Sequence, residues 1–296
     1  MKIHIIFTKQ ILLTMLLVMW FQSEIFSQGL NKTRFNKPGW FIGVSGGVNQ
    51  TDIINEGAFS IAGLQNSKMN SLSFSGEIGY FFTSHFGLSM GIDYAAYKTK
   101  LNLNSYENKF DAIDSENEHY ERRVTGTNIK EMQDISYISV PVNFIFRMPL
   151  KNNCGFFLQA GGNISFPINK TYSSSGTFTY KGYYSAYNVL LENLPDFGFP
   201  NNHNTSASGD LKLQQYNINA IATAGIDVFI KKQFQLVFAA SYSKSLTKIS
   251  AYEPPDKFQL SSDVDQMNSI MGGCSNISLK SLGASVGLRY YFKKHK

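Results

Sequence analysis

The chain has 296 residues, 27 basic against 21 acidic side chains for a net charge of +6, and only 16% charged residues beside 14% aromatic ones. A soluble domain is nearer one quarter charged, so this composition argues against an ordinary soluble enzyme. The length has room for one large domain or two small ones.

At the start, Lys2 and Lys9 precede the short apolar run ILLTMLLVMWF, and small residues follow near Ser27. This reads as a cleavable signal peptide over 1–27, and no apolar run reaches the ~18–20 residues of a spanning helix. Residues 28–39 are expected to form a periplasmic N-terminal segment. An exported chain is a poor partner for nucleic acid despite its positive charge.

From residue 40 onward the sequence alternates with a period of two. The segments are 40–48 (WFIGVSGGV), 71–82 (SLSFSGEIGYFF), 86–97 (FGLSMGIDYAAY), 137–148 (YISVPVNFIFRM), 155–166 (GFFLQAGGNISF), 215–230 (QYNINAIATAGIDVFI), 234–243 (FQLVFAASYS) and 281–292 (SLGASVGLRYYF). Strict alternation marks strands with two unlike faces. Pro141 predicts a local bulge in the fourth. Short connections at 83–85, 149–154 and 231–233 alternate with long polar stretches at 49–70, 98–136, 167–214 and 244–280. Loop length segregated by rim is the pattern of an up-and-down membrane barrel.

The apolar face carries no charged residue and the other carries five: Glu77, Asp93, Arg147, Asp227 and Arg289. An eight-stranded barrel has an interior just wide enough for side chains to fill. The bulky face, with Phe74, Phe144, Leu288 and Phe238, is too large for that lumen, whereas the Gly, Ser, Asn and Ala face fits. The fold class expected is therefore all-β: an eight-stranded antiparallel up-and-down transmembrane β-barrel over 40–292 with short periplasmic turns and long extracellular loops, followed by a basic tail at 293–296. Outward aromatics at the short-turn rim, namely Trp40, Tyr80, Phe82, Phe86, Phe146, Phe156, Phe234, Tyr290 and Phe292, read as an interfacial girdle. Tyr94, Tyr216 and Tyr242 approach the other rim.

The stretches GWFIGVSGGVN, SFSGEIGYFFTSHFGLSMGIDY, ISYISVPVNFIFRM, GFFLQAGGNISF and SLGASVGLRYYF resemble the PorT-like outer-membrane β-barrel family over roughly residues 40–292. The resemblance implies a compact eight-stranded architecture in the cell outer membrane, and, for some members, a part in protein secretion across it.

The five lumen charges are expected near the short-turn rim as a network in which Arg147 and Arg289 face carboxylates, because buried charges must pair. Basic residues collect at that rim (Lys32, Arg34, Lys37, Lys151, Lys231, Lys232, Lys293, Lys294, Lys296), while 106–123 is acidic, so a collar against anionic membrane lipid is expected. Cys154 and Cys274 fall on opposite rims, about 25 Å apart, too far for a disulfide. No phosphate loop, zinc motif or paired cysteine cluster occurs, and His119 and His203 are isolated. No catalytic residue, cofactor or metal is expected. The tyrosine-rich 167–214 stretch (Tyr172, Tyr180, Tyr183, Tyr184, Tyr187) suits either a surface-ligand contact or packing over the barrel mouth. A secretion-machinery partner and a narrow solute pore stay open as alternatives.

Overall fold

The computed structural model describes residues 38–55, 63–150, 153–252, 258–274 and 277–292. The signal-peptide reading and most of the basic collar lie outside them. The described residues form eleven strands: β1 Gly39–Asn55, β2 Leu64–Lys68, β3 Asn70–Phe81, β4 Phe86–Ile113, β5 His119–Pro149, β6 Cys154–Tyr184, β7 Val189–Glu192, β8 His203–Asp210, β9 Asn217–Phe229, β10 Phe234–Ser245 and β11 Ile277–Tyr291. Eight of them pair antiparallel in a closed ring, β1-β3-β4-β5-β6-β9-β10-β11 and back to β1. The remaining three hang on that ring, β2 on β4 and both β7 and β8 on β6. No helix among the described residues is long and apolar enough to cross a membrane.

The ring has two zones with opposite polarity. Near the short turns, Val44, Phe74, Leu88, Phe144, Phe238, Val286 and Leu288 point outward and are exposed, while Gly43, Ser89, Ser139, Ser165, Asp227 and Arg289 point inward and are buried or nearly so. Exposed apolar surface of this extent has no place in water. Beyond the belt the same strands turn their apolar residues in. Leu101, Leu103, Val124, Ile129, Phe178 and Tyr180 are buried together, and Lys98, Lys130 and Asp134 point out. The change is the one expected where a wall leaves hydrocarbon and enters water.

Three of the four long stretches expected as loops, 49–70, 98–136 and 167–214, are therefore mostly strand. β4 and β5 run on past the belt and are joined only at 114–118. From 97 to 113 β4 covers on the order of 50 Å of contour at about 3.3 Å per residue. The sequence hides this for two reasons. Apolar and polar residues exchange faces at the belt edge, and two bulges shift the parity. In β5, Asn128 and Ile129 face the single residue Gly176, with Asn128 at φ 53°. In β6, Ile168 has no partner between Pro167 and Asn169. A bulge moves every later side chain to the opposite face.

The described parts of the last long stretch, 246–252 and 258–274, contribute no ring strand and fold inward. Leu260, Met267 and Ile270 join Leu101, Leu103, Tyr120 and Phe178 in one core. Ile249, Met271 and Cys274 join Ile135, Tyr137, Leu211 and Leu213 in a second. This segment fills the mouth together with buried side chains of the tyrosine-rich stretch, Tyr180, Tyr184, Phe199 and Leu211 among them. Cys154 lies at the start of β6 by the short turns and Cys274 is buried in the outer core, and both are free thiols.

Candidate functional site: a plugged lumen and an open outer cleft

The short-turn end of the lumen is filled by rings. Strand ends carry paired bulky residues, at 40–41, 81–82, 156–157, 228–229 and 291–292, so that one member faces lipid and the other faces the axis. Tyr291 is the centre of this plug. Its ring lies 5.6 Å from Phe41, 6.4 Å from Phe81 and 5.4 Å from Phe229. Its hydroxyl accepts from Arg147 Nη1 at 2.9 Å and donates to Gln235 Oε1 at 3.0 Å. The inward aromatics were missed because alternation was read for its outward face alone.

The five lumen charges sit as follows. Arg289 Nε donates to Glu77 Oε1 at 2.6 Å, with its guanidinium 5.1 Å from the Phe41 ring and 5.0 Å from the Phe157 ring. Arg147 stacks at 3.8 Å over Phe81. Asp227 is fully buried on β9, opposite Val237 and Gly155 in the ladder. Asp93 lies one step farther up, opposite Ser75. It lines an internal chamber of about 180 Å³ together with Glu77, Ser45, Ser75, Asn143 and Thr223. Toward the outer end the lumen narrows to a void of about 10 Å³ between Tyr97, Tyr137, Asn217 and Asn219.

One carboxylate in the outer core was not anticipated. Glu131 is fully buried and accepts four hydrogen bonds, from Gln133 Nε2 at 2.5 Å, Ile270 N at 2.6 Å, Ser174 Oγ at 2.8 Å and Ser269 Oγ at 3.1 Å. Two of the donors belong to the inward-folded segment, so Glu131 ties that segment to the wall. Burial pushes its pKa above the usual carboxylate value, against the lowering effect of those donors. It falls within a stretch read as loop, which is why it drew no notice.

At the outer extremity the turn 114–118, the turn after β6, strand β7 and the short helix Pro195–Phe197 surround an open cleft of about 600 Å³. Its floor is Tyr120, stacked on Tyr184 at 5.1 Å and 15° and edge-on to Phe199 at 5.8 Å. Asp114, Glu116, Glu118, Asp196, Tyr187 and Phe197 line its sides. Phe197 is 73% exposed and Tyr187 61%. Asp114 Oδ1 caps its own turn by accepting from the Glu116 and Glu118 amides, which together with a hydrogen bond from the Tyr184 hydroxyl lowers its pKa. Elsewhere, His203 approaches Asp265 at 3.3 Å and His119 opens β5 in an exposed position. No group of three candidate metal ligands occurs among the described residues.

A family model described as "Outer membrane protein beta-barrel domain" matches residues 26–251. The chain belongs to that family. An outer membrane protein beta-barrel resides in the outer membrane, and the exposed belt is the surface that lipid covers. Among solved structures it is similar to OprG of Pseudomonas aeruginosa, at 14% identity over 88% of this chain and 99% of that one, TM-score 0.41. It is also similar to Neisserial surface protein A, at 11% over 86% and 99%, TM-score 0.38. A third is the attachment invasion locus protein Ail of Yersinia pestis in complex with the heparin analogue sucrose octasulfate, at 13% over 85% and 99%, TM-score 0.30. No curated protein matches.

In this outer membrane barrel the rim aromatics make ring contacts along the belt edge: Trp40 with Tyr80 at 5.0 Å, Phe86 with Phe146 at 5.4 Å, and Phe234 with Tyr290 at 5.2 Å. Such a pair contributes about 0.5–1.5 kcal/mol beyond its area. Trp40→Ala is expected to cost about 1 kcal/mol, read as a lower urea midpoint for refolded protein in lipid vesicles. Trp40→Phe, which keeps a ring, should lose less.

Proposed function

We propose that this outer membrane barrel is a non-enzymatic surface-recognition protein whose lumen is sealed and whose working surface is the cleft at the far end of its projecting strands. In this reading the short turns face the periplasm and the long strands stand outside the cell. The observation that carries it is the contrast between the two ends. Ionic and aromatic side chains close the lumen, while exposed rings surround an open cleft at the outer tip. Exposed tyrosine and phenylalanine cover much area at little cost in side-chain entropy. The lumen charges act as structural filling, and lipid around the belt is the standing partner. The basic turn at Lys231 and Lys232 fits anionic inner-leaflet lipid.

The resemblance to PorT-like proteins supports a second reading, an accessory part of a secretion machine. A photo-crosslinking residue placed at Phe197 and, separately, at Ser84 in the short turn separates the two in intact cells. Recognition at the surface expects adducts at 197 with externally added material and none at 84. Adducts confined to 84 would instead place the working face on the periplasmic side.

A pore is the weakest reading, because the 180 Å³ chamber is pinched at both ends. Reconstituted in planar bilayers, the protein is expected to give no steady conductance. Reproducible channel openings would overturn the sealed lumen.

A further inference from the structure

The outer cleft pairs exposed rings with one sign of charge. Its lining includes Asp114, Glu116, Glu118 and Asp196 and contains no lysine or arginine. The nearby cations are engaged elsewhere: Arg123 with Glu121 at 2.6 Å, Lys181 with Glu192 at 2.5 Å, and Arg122 with Asp263 at 3.6 Å and the Gly198 carbonyl at 3.2 Å. Arg122 lies under the floor, against the rings of Tyr180 and Phe199. Glu116 and Asp196 are both exposed and both line the opening. A cation entering here meets the exposed rings of Tyr187 and Phe197 beside carboxylates, the two partners that attract an ammonium or guanidinium most strongly. An anion would meet like charge along the lining, with Arg122 beneath the floor and already bonded to the Tyr120 hydroxyl at 3.1 Å.

A second feature gives the shape of the occupant. Strand β7 pairs through Val189–Glu192 with Tyr184–Lys181 of β6 and has no ladder on its other side among the described residues. Val189 and Leu191, on one face of β7, line the cleft, so the strand that carries the free edge also forms part of the cleft wall. An open strand edge accepts an added strand by main-chain hydrogen bonds, with alternate side chains entering adjacent pockets.

We propose that the cleft binds an extended, lysine- or arginine-bearing polypeptide segment of a partner protein, which adds to the β7 edge and sets a cationic side chain among Tyr120, Tyr184, Tyr187 and Phe197. This rests on the surface-recognition reading and names its ligand class. Basic clusters that bind membranes or nucleic acid work by the opposite sign, and neither of those partners fits a cleft of carboxylates.

The test uses the full-length protein in detergent micelles and two fluorescein-labelled peptides of equal length, one alternating lysine with valine and the other glutamate with valine. The cationic peptide is expected to raise fluorescence anisotropy saturably, and the anionic peptide is not. The triple variant Glu116→Lys, Asp196→Lys, Phe197→Ser is expected to weaken cationic binding about tenfold or more, which is 1.4 kcal/mol. All three side chains are exposed, and a heat-dependent shift in gel mobility verifies that the variant is folded. Substituting proline at Leu190, which disrupts the edge without altering charge, should also weaken binding. Equal binding of both peptides, or cationic binding unchanged in the folded triple variant, overturns the proposal. If surface crosslinks at 197 persist while the cationic peptide fails to bind, the ligand class is wrong and surface recognition stands. If both are absent, the recognition reading falls with it.

Discussion

Arg289→Ala is expected to lower the stability of the folded barrel by about 3–5 kcal/mol, the cost of leaving one member of a buried ion pair without its partner. The guanidinium is almost wholly buried and donates through Nε to Glu77, whose carboxylate is itself mostly covered. Truncation leaves that carboxylate facing a narrow, protein-lined interior. It also removes the planar group packed between Phe41 and Phe157, so a void opens beside the charge. Arg289→Lys keeps the charge but cannot reproduce both the Nε contact and the flat packing, and an intermediate loss is expected. The double variant Glu77→Gln, Arg289→Met removes both charges while keeping volume. It should recover most of the deficit, because a buried pair is often matched by apolar replacement. Urea titration of protein refolded into vesicles, followed by gel mobility of the folded form, gives the four midpoints. An Arg289→Ala midpoint equal to that of the unsubstituted protein would mean that the pair holds nothing together.

That arrangement was partly legible in the sequence. The outward belt, with Val44, Phe74, Leu88 and Phe238, could be read because lipid imposes one rule on one face over many residues, and alternation alone reveals it. The charged positions at 77, 93, 147, 227 and 289 stood out for the same reason, as exceptions on a face of small residues. Their partners could not be read, since Glu77 and Arg289 are 212 residues apart and meet only when β1 pairs with both β3 and β11. The inward place of Tyr291 likewise depends on ring closure, since its contacts Phe41, Phe81 and Phe229 come from β1, β3 and β9.

The outer half was misread in a more instructive way. Between 98 and 136 the chain keeps the period of two but reverses its sense, with Leu101 and Leu103 inward where Leu88 and Met90 had been outward. A reading tuned to one solvent registers such a stretch as polar and loop-like. Asn128 then resets the parity, and Ile168 does so again in β6. Two solvents along one strand, with a bulge between, defeat a single template. The cleft was inaccessible for another reason. Tyr120, Tyr184 and Phe199 come from three elements, and only the pairing of β5 with β6 and the bend after β7 bring their rings together.

Replacing Glu131 should detach the inward-folded segment from the wall. In Glu131→Leu four donors lose their acceptor: the Ile270 amide, the Gln133 amide and the hydroxyls of Ser174 and Ser269. The hydroxyls can turn elsewhere, whereas the Ile270 N–H is fixed by the backbone. At about 1–3 kcal/mol for each buried group left unsatisfied, the loss is about 2–4 kcal/mol, confined to the outer half because the belt below is untouched. Limited proteolysis should therefore cut within 258–274 in the variant and spare it in the parent, with no change in the belt's resistance to heat. The same group gives the closure a pH dependence of definite sign. Burial raises its pKa above the ordinary 4.5, so the closed form holds a proton more tightly than the open one. Its contribution is then fully present below 4.5 and is lost as pH rises through the raised value. Neighbouring Cys274, pushed up to about 11, and Tyr172 and Tyr252, both raised from 10, do not titrate between pH 5 and pH 8. Protection of 258–274 should accordingly be greater at pH 5 than at pH 8, and Glu131→Gln should flatten the difference at a smaller cost because it keeps one acceptor oxygen. A Glu131→Gln profile as steep as the parent's would assign the pH response to another group, and intact 258–274 in folded Glu131→Leu would show that apolar packing around Ile270 and Met271 holds the segment unaided.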